Sequence, residues 1–285
     1  MATVNMTIHT LTIVGVGLIG GSIGLAARQR GLVRRILGVG RQRDSLERAR
    51  RLGVVDDWSL DLVTAVGQAD VAVFCTPVDQ IAAQVLAAAP ACAAGTLLTD
   101  AGSTKASIVG GVEGRLPPGV AFVGSHPLAG SEKRGPEHAD AQLFQGRLTV
   151  VTPTPQTDGA AVERVAAFWA GLGSRVCVMS PEDHDRALAL TSHLPHLLAS
   201  AMAGILPPEL HDLTASGFRD TTRIAAGDPG LWTAIFAHNR AAVLDALRLF
   251  SARLTEFQAA LEAGDCAALD HFLTQAKKVR DALGS

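Results

Sequence analysis

The sequence predicts an α/β chain, with a doubly wound parallel sheet over residues 1–180 and an all-helical domain over residues 181–285. Three observations predict it. Short apolar runs alternate with helical stretches up to about residue 180; a glycine-rich loop follows the first run; and after "MSPEDHD" the strand pattern stops.

The apolar runs are "LTIVGV", "RILGVG", "VAVFCT", "TLLTDA", "VAFVGS", "RLTVVT" and "SRVCVM". Each is nearly continuous in apolar residues rather than alternating, which suits strands covered on both faces. Between them lie the expected helices 18–30, 44–52, 78–89 and 158–172. Beyond Pro181 the chain reads as helix throughout. Pro181 and Pro229 sit where first-turn prolines are tolerated, and Gly264 followed by Asp265 reads as a helix stop and a new N-cap.

Composition narrows the function. The chain has 285 residues, 48% of them apolar, enough for a well-buried core and two domains. A formal charge of −2 argues against a nucleic-acid surface and for a small-molecule substrate. No apolar stretch approaches the roughly 20 residues of a membrane span, and "MATVNMTIHT" lacks the pattern of a secretory signal, so a cytoplasmic location is expected. Cys75, Cys92, Cys177 and Cys266 are scattered and suggest neither a zinc site nor a disulfide framework. His193 and His196 lie three apart, on one helix face, but without an H-E-x-x-H pattern or a third ligand; no metal is expected.

The loop "GVGLIGGSIG" has a strand before it, a helix after it and a second strand at the right distance, the context of a Rossmann-like dinucleotide site. Gly15 makes the tight turn, Gly17 admits the pyrophosphate and Gly20 allows close helix–strand packing, with Leu18 and Ile19 opening the helix whose N-terminus faces the phosphates. At the end of the second strand an NAD site offers a carboxylate to the ribose. Here stand Gly40, Arg41, Gln42 and Arg43, which favours NADP over NAD, because an arginine fork grips a 2′-phosphate. Thr76 and Pro77, after the third long strand, complete the expected cofactor set.

The chemistry is expected at the carboxyl edge of the sheet, where doubly wound folds bind ligands. "DAGSTKAS" places Ser103 and Lys105 there, and "SHPLAGSEKRG" places His126 and Glu132. A histidine at that edge has a pKa suited to proton transfer. In "SGFRDTTR", Asp220 and Arg223 are three apart, so the carboxylate is expected to orient a guanidinium suited to a substrate carboxylate.

Together, "GVGLIGGSIG", "DAGSTK", "GSHPLAGSEKRG", "SHLPH" and "SGFRDTTRIAAGDPGLW" resemble the prephenate/arogenate dehydrogenase family of tyrosine biosynthesis, over essentially the whole chain. The resemblance implies an NAD(P)-dependent oxidative decarboxylation of a cyclohexadienol, giving 4-hydroxyphenylpyruvate or tyrosine, and a homodimer joined through the helical domains. It implies that His126 accepts the ring-hydroxyl proton and that Ser103 orients that hydroxyl and the nicotinamide. Arg223 would bind a substrate carboxylate, with Ser192, His193 and His196 lining the pocket and Glu132 and Trp232 near its mouth. "GRQR" looks more like NADP-using arogenate dehydrogenases, whereas His196 looks more like prephenate-type members; a strict arogenate dehydrogenase is the alternative. A β-hydroxyacid dehydrogenase or imine reductase shares the domain order but commonly depends on a lysine in the helical half, where this chain has only Lys277 and Lys278 near its end. A non-catalytic nucleotide sensor would need neither His126 nor Ser103.

Overall fold

In the computed structural model, residues 8–130 and 133–284 are described. The long strands form where the apolar runs predict them: β1 (Ile8–Val14), β2 (Val33–Val39), β4 (Val71–Phe74), β5 (Leu97–Asp100), β6 (Ala121–Pro127), β7 (Leu148–Thr152) and β8 (Arg175–Val178). A short strand that the sequence reading missed, β3 (Asp57–Ser59), adds an edge, and the eight strands run in the order β3-β2-β1-β4-β5-β6-β7-β8. The order reverses direction beside β1, which places a crevice above the carboxyl ends of β1 and β4.

Helices α1 (Leu18–Gln29), α2 (Arg43–Arg51), α3 (Leu62–Val66), α4 (Val78–Ala88), α5 (Ala106–Val112) and α6 (Gly159–Gly171) cover the sheet. Alternation along each strand divides the core in two. Leu11 and Ile13 of β1 and Val71 and Val73 of β4 pack with Ile23, Leu46, Phe168 and Trp169, whereas Val14, Ala72 and Phe74 pack with Val66, Ile81, Val85 and Ile108. Both faces are covered, which is why these strands read as unbroken apolar runs.

One expectation is corrected. The sheet is not parallel throughout: β7 pairs antiparallel with β6, with Ser125 opposite Val151 and His126 opposite Val150, and β8 is parallel to β7. The connection from β6 to β7 contains no α-helix among its described residues, only the 3₁₀ turn Pro136–His138. Without a helical crossover the chain returns beside its own strand.

Beyond β8, α7 (Pro181–Leu188) begins with Ser180 accepting from the Asp183 N–H. The expected continuous helix is interrupted by a π-helical turn, Ala189–His193, before α8 (Leu194–Gly204). Pro195 has no N–H to give the carbonyl four residues back, and its ring crowds that carbonyl, so the α-helical ladder cannot run through it. Then follow α9 (Ser216–Thr222), α10 (Pro229–His238), α11 (Arg240–Ala263) and α12 (Cys266–Ala282). Asp228 caps α10 by accepting from the Leu231 N–H, with Pro229 in the first turn as expected.

Contacts divide the chain into two compact units, Met1–Arg240 and Ala241–Ser285, so the segment 181–240 belongs to the unit that holds the sheet. Within the second unit α11 and α12 turn on Gly264, whose φ is +65°, and Asp265 caps α12 by accepting from the Ala268 N–H. Phe257 and Phe272 meet with ring centroids 5.1 Å apart, and the Arg253 guanidinium lies over Phe272. Leu249, Leu254, Leu261, Leu273 and Val279 of this unit are exposed in the single chain.

Candidate active site

A cavity of about 1000 Å³ opens above the carboxyl ends of β1 and β4, and its described lining residues belong to the first unit. One end is the glycine loop. Gly15 has φ +94°, and a Cβ there would lie 2.8 Å from the Cys75 carbonyl oxygen. A Cβ on Gly20 would fall 2.2 Å from the Gly15 carbonyl oxygen. Gly17 differs: a Cβ there meets nothing within 4 Å, so its missing side chain leaves open space at the start of α1. That helix carries no acidic residue in its first turn, and its first N–H groups, Leu18 and Ile19 included, have no carbonyl four residues back within the helix. The loop fits a pyrophosphate.

Gly40, Arg41, Gln42 and Ser45 line the same end of the cavity, and no Asp or Glu is among the cavity's described lining residues. Arg43 is not among them. It opens α2, and its guanidinium lies 5.3 Å from the Trp58 ring centroid, a cation–π contact. Thr76 and Pro77 line the cavity beside Gly15, where the Thr76 hydroxyl donates to Gln84 at 2.6 Å.

The other end brings together Ser103, His126, Ser192, His193 and Trp232. Ser103 lies between β5 and α5, and His126 near the end of β6; no hydrogen bond joins them. Ser192 and His193 are delivered by the π-helical turn. His196 is buried and stacks on Trp232, with centroids 3.5 Å apart and planes 12° from parallel. It is not among the cavity's described lining residues and sits against the lining residue Trp232. Its Nδ1 is buried without a partner.

Arg223 and Asp220 lie apart from this end, and their expected pairing is absent. Both are exposed, neither lines the cavity, and they form no ion pair. Their expected pairing needs one continuous α-helix, but α9 ends at Thr222 and a 3₁₀ turn, Arg223–Ala226, follows, which changes the helical phase between them. Besides Arg41, the cationic groups that line the cavity are Lys133 and Arg134, the latter ion-paired with Asp228. Glu132 lies outside the described residues.

Behind His126 lies a buried polar network that the sequence reading missed. His126 Nδ1 is 2.9 Å from His184 Nε2, and His184 Nδ1 is 2.8 Å from Asp185 Oδ1. Asp185 also accepts from the backbone N–H groups of Lys105 at 2.7 Å and Ala106 at 2.9 Å, the start of α5. The Asn239 amide donates to the Asp185 carbonyl at 2.8 Å and lies 3.1 Å from His193 Nδ1. Lys105, expected at the sheet edge, is fully buried: its ammonium pairs with Asp100 and donates to the Ser125 carbonyl at 2.9 Å. Asp100 in turn accepts from the Ser125 N–H at 3.0 Å, which fixes the strand one residue ahead of His126. The only signal in the sequence was the adjacent pair in "PEDHDRAL", which reads as an ordinary acidic helix start.

Burial holds the His126 pKa well below the usual histidine range, and the neighbouring charges of His184, Lys105 and His193 push it the same way. Burial also lowers His184, against the opposing pull of Asp185, and lowers His193 to about 4. These rings stay neutral in the folded chain at a pH where the unfolded chain, titrating near 6.5, takes up protons. The unfolded state then binds more protons, so stability is fully present above about pH 6.5 and declines as pH falls toward 4. Thermal unfolding should show Tm falling steadily through that window, with a shallower slope in His193→Gln. A flat Tm between about pH 6.5 and 5, above the range where carboxylates titrate, contradicts this reading.

Residues 23–178 match the family described as prephenate dehydrogenase, nucleotide-binding domain, and residues 180–275 match prephenate dehydrogenase, dimerization domain. The prephenate dehydrogenase of Bacillus subtilis is 34% identical over 286 residues, covering 98% of this chain and 77% of that one. The cyclohexadienyl dehydrogenase of Zymomonas mobilis is 34% identical over 280 residues, covering 96% and 95%. Among solved structures, the prephenate dehydrogenase of Aquifex aeolicus in complex with hydroxyphenyl propionate and NAD+ superposes with a TM-score of 0.91 at 31% identity, covering 96% of this chain and 98% of that one. That similarity displaces the β-hydroxyacid dehydrogenase and imine reductase readings: the chain, an oxidoreductase with a nicotinamide-cofactor domain, belongs to the prephenate dehydrogenase family.

Proposed function

We propose that the chain oxidises and decarboxylates prephenate to 4-hydroxyphenylpyruvate, with NADP+ preferred over NAD+, and that it also turns over arogenate. The observation that carries the reading is one cavity that joins the glycine loop and Arg41 to His126. When bound, the nicotinamide dinucleotide supplies the hydride acceptor. The chain's own residues then have three tasks. His126, neutral because it is buried, takes the proton from the ring hydroxyl, which strengthens hydride donation from the carbon bearing it. Ser103, at the same end of the cavity, orients that hydroxyl by hydrogen bonding. Lys133 and Arg134 bring positive charge to a substrate with two carboxylates. Loss of the ring carboxylate as CO2 aromatises the product, so decarboxylation needs no further base.

The substrate reading rests on the same wall. Arogenate carries an ammonium where prephenate has a ketone, and a buried unpaired charge is costly. No carboxylate is among the described lining residues to select it. His196 backs this wall by stacking on Trp232. The exposed leucines of α11 and α12 suit a homodimer built through the helical region, in keeping with the dimerization-domain match.

Two measurements test the assignments. His126→Ala should preserve NADP+ binding while lowering kcat by roughly 10²–10⁴-fold, the usual worth of a positioned acid–base group. In the unaltered enzyme, kcat/KM should fall only below the ordinary histidine pKa, since protonation of a ring held below about 6.5 removes the base. Activity of the alanine variant within about tenfold would remove His126 from the mechanism. For the cofactor, Arg41→Asp should raise KM for NADP+ far more than for NAD+, because a like charge replaces the phosphate partner. A native enzyme that already prefers NAD+ overturns the role given to Arg41.

A further inference from the structure

We propose that His184 and Asp185 are positioning residues that set the tautomer of His126, so that Nδ1 carries the hydrogen and Nε2 is the bare nitrogen that meets the substrate. The proposal rests on His126 being the base, and it follows from hydrogen-bond bookkeeping along one buried chain.

The chain of contacts begins at Asp185. Its two carboxylate oxygens each receive a backbone N–H, Oδ1 from Lys105 and Oδ2 from Ala106, so the group is placed as an acceptor at the start of α5. His184 Nδ1, 2.8 Å from Oδ1, is then the donor in that contact. A neutral imidazole has one N–H. His184 therefore spends its hydrogen on Asp185 and presents a bare Nε2 to His126. The 2.9 Å contact between the rings needs one hydrogen, which His126 Nδ1 supplies. His126 Nε2 remains a lone pair, without a partner among the described residues, on a ring that lines the cavity. The opposite tautomer would leave two lone pairs facing each other between the rings and an N–H where the base is needed.

The same geometry holds after proton transfer. When His126 Nε2 takes the hydroxyl proton, the new cation donates from Nδ1 to His184, whose other nitrogen donates to the Asp185 carboxylate. Positive charge on His126 is thus met by a chain of acceptors ending in a negative group, while Asp185 itself takes no proton. Other charged or titratable groups around the pair are His193 on the π-helical turn, Lys105 ahead of α5 and Asp100 at the end of β5. Lys105 is paired with Asp100, and the carboxylate in hydrogen-bond contact with His184 is Asp185.

Asp185→Asn tests this, because an amide can donate to His184 Nδ1 and reverse the whole chain. Long-range nitrogen–proton NMR correlation spectra of histidine-labelled protein distinguish the tautomers without any substrate. Their outcome is therefore separate from whether prephenate is the substrate. In the unaltered protein His126 should show the Nδ1–H pattern, and in Asp185→Asn the Nε2–H pattern. The same variant should lose at least about 10² in kcat, as expected for a base held in the wrong tautomer, while KM for prephenate and Kd for NADP+ stay within about twofold. His184→Gln, whose amide oxygen still accepts from Nδ1–H, should recover at least about tenfold of the rate lost in His184→Leu. An Nε2–H pattern for His126 in the unaltered protein overturns the proposal even if Asp185→Asn fails to fold. A His184→Gln variant no more active than His184→Leu overturns it equally.

Discussion

The side chain and backbone of Asp185 tie together three pieces of chain that are far apart in sequence: the start of α5, α7 itself and the end of α10. The carboxylate receives the first N–H groups of α5 and the ring of His184, and its carbonyl receives the Asn239 amide from the end of α10. A buried carboxylate is expensive to desolvate unless its oxygens are satisfied, and here both are. That requirement fixes where α7 sits relative to the loop after β5. It thereby fixes the ring behind His126 and, through Asn239, the position of His193. The catalytic reading depends on this one group more than on any residue that faces the cavity.

A second buried charge works in parallel. Lys105 and Asp100 are both fully inaccessible, and their partners include the Ser125 carbonyl and N–H. Removing one member of such a pair leaves an uncompensated buried charge, so neither is free to vary alone. The pair lies under the edge that the cavity uses, beneath the strand bearing His126. His126 is thus backed by polar groups that are not themselves among the cavity's described lining residues. His126 is buried against them, and burial pushes its pKa down rather than up.

Much of this was legible in the sequence, for physical reasons that differ by element. Strands covered on both faces must be apolar throughout, so β1, β2, β4 and β5 announced themselves. β3, three residues long and written "DWS", has no such obligation and was missed. The reversal at β7 was also hidden, since an apolar run carries no sign of its direction. Gly15, Gly17, Ser103, His126, Ser192, His193 and Trp232 do gather on one cavity as expected. Arg223 is not among its lining residues, and the pairing with Asp220 expected from i,i+3 spacing is absent because the helix changes type at that residue. His184 and Asp185 went unseen because exposure, not residue type, separates a solvated acidic helix start from a buried relay, and burial is a tertiary property.

The central claim is that one cavity, with Arg41 at one end and His126 at the other and no carboxylate on its described walls, serves a cyclohexadienol with a ketone side chain. Steady-state kcat/KM for prephenate and for arogenate, each with NADP+, tests it most directly. Prephenate should be turned over at least as well as arogenate, and both should be substrates. A preference for arogenate beyond about 100-fold, roughly 2.7 kcal/mol of discrimination, would contradict it, because nothing on these walls supplies that selectivity.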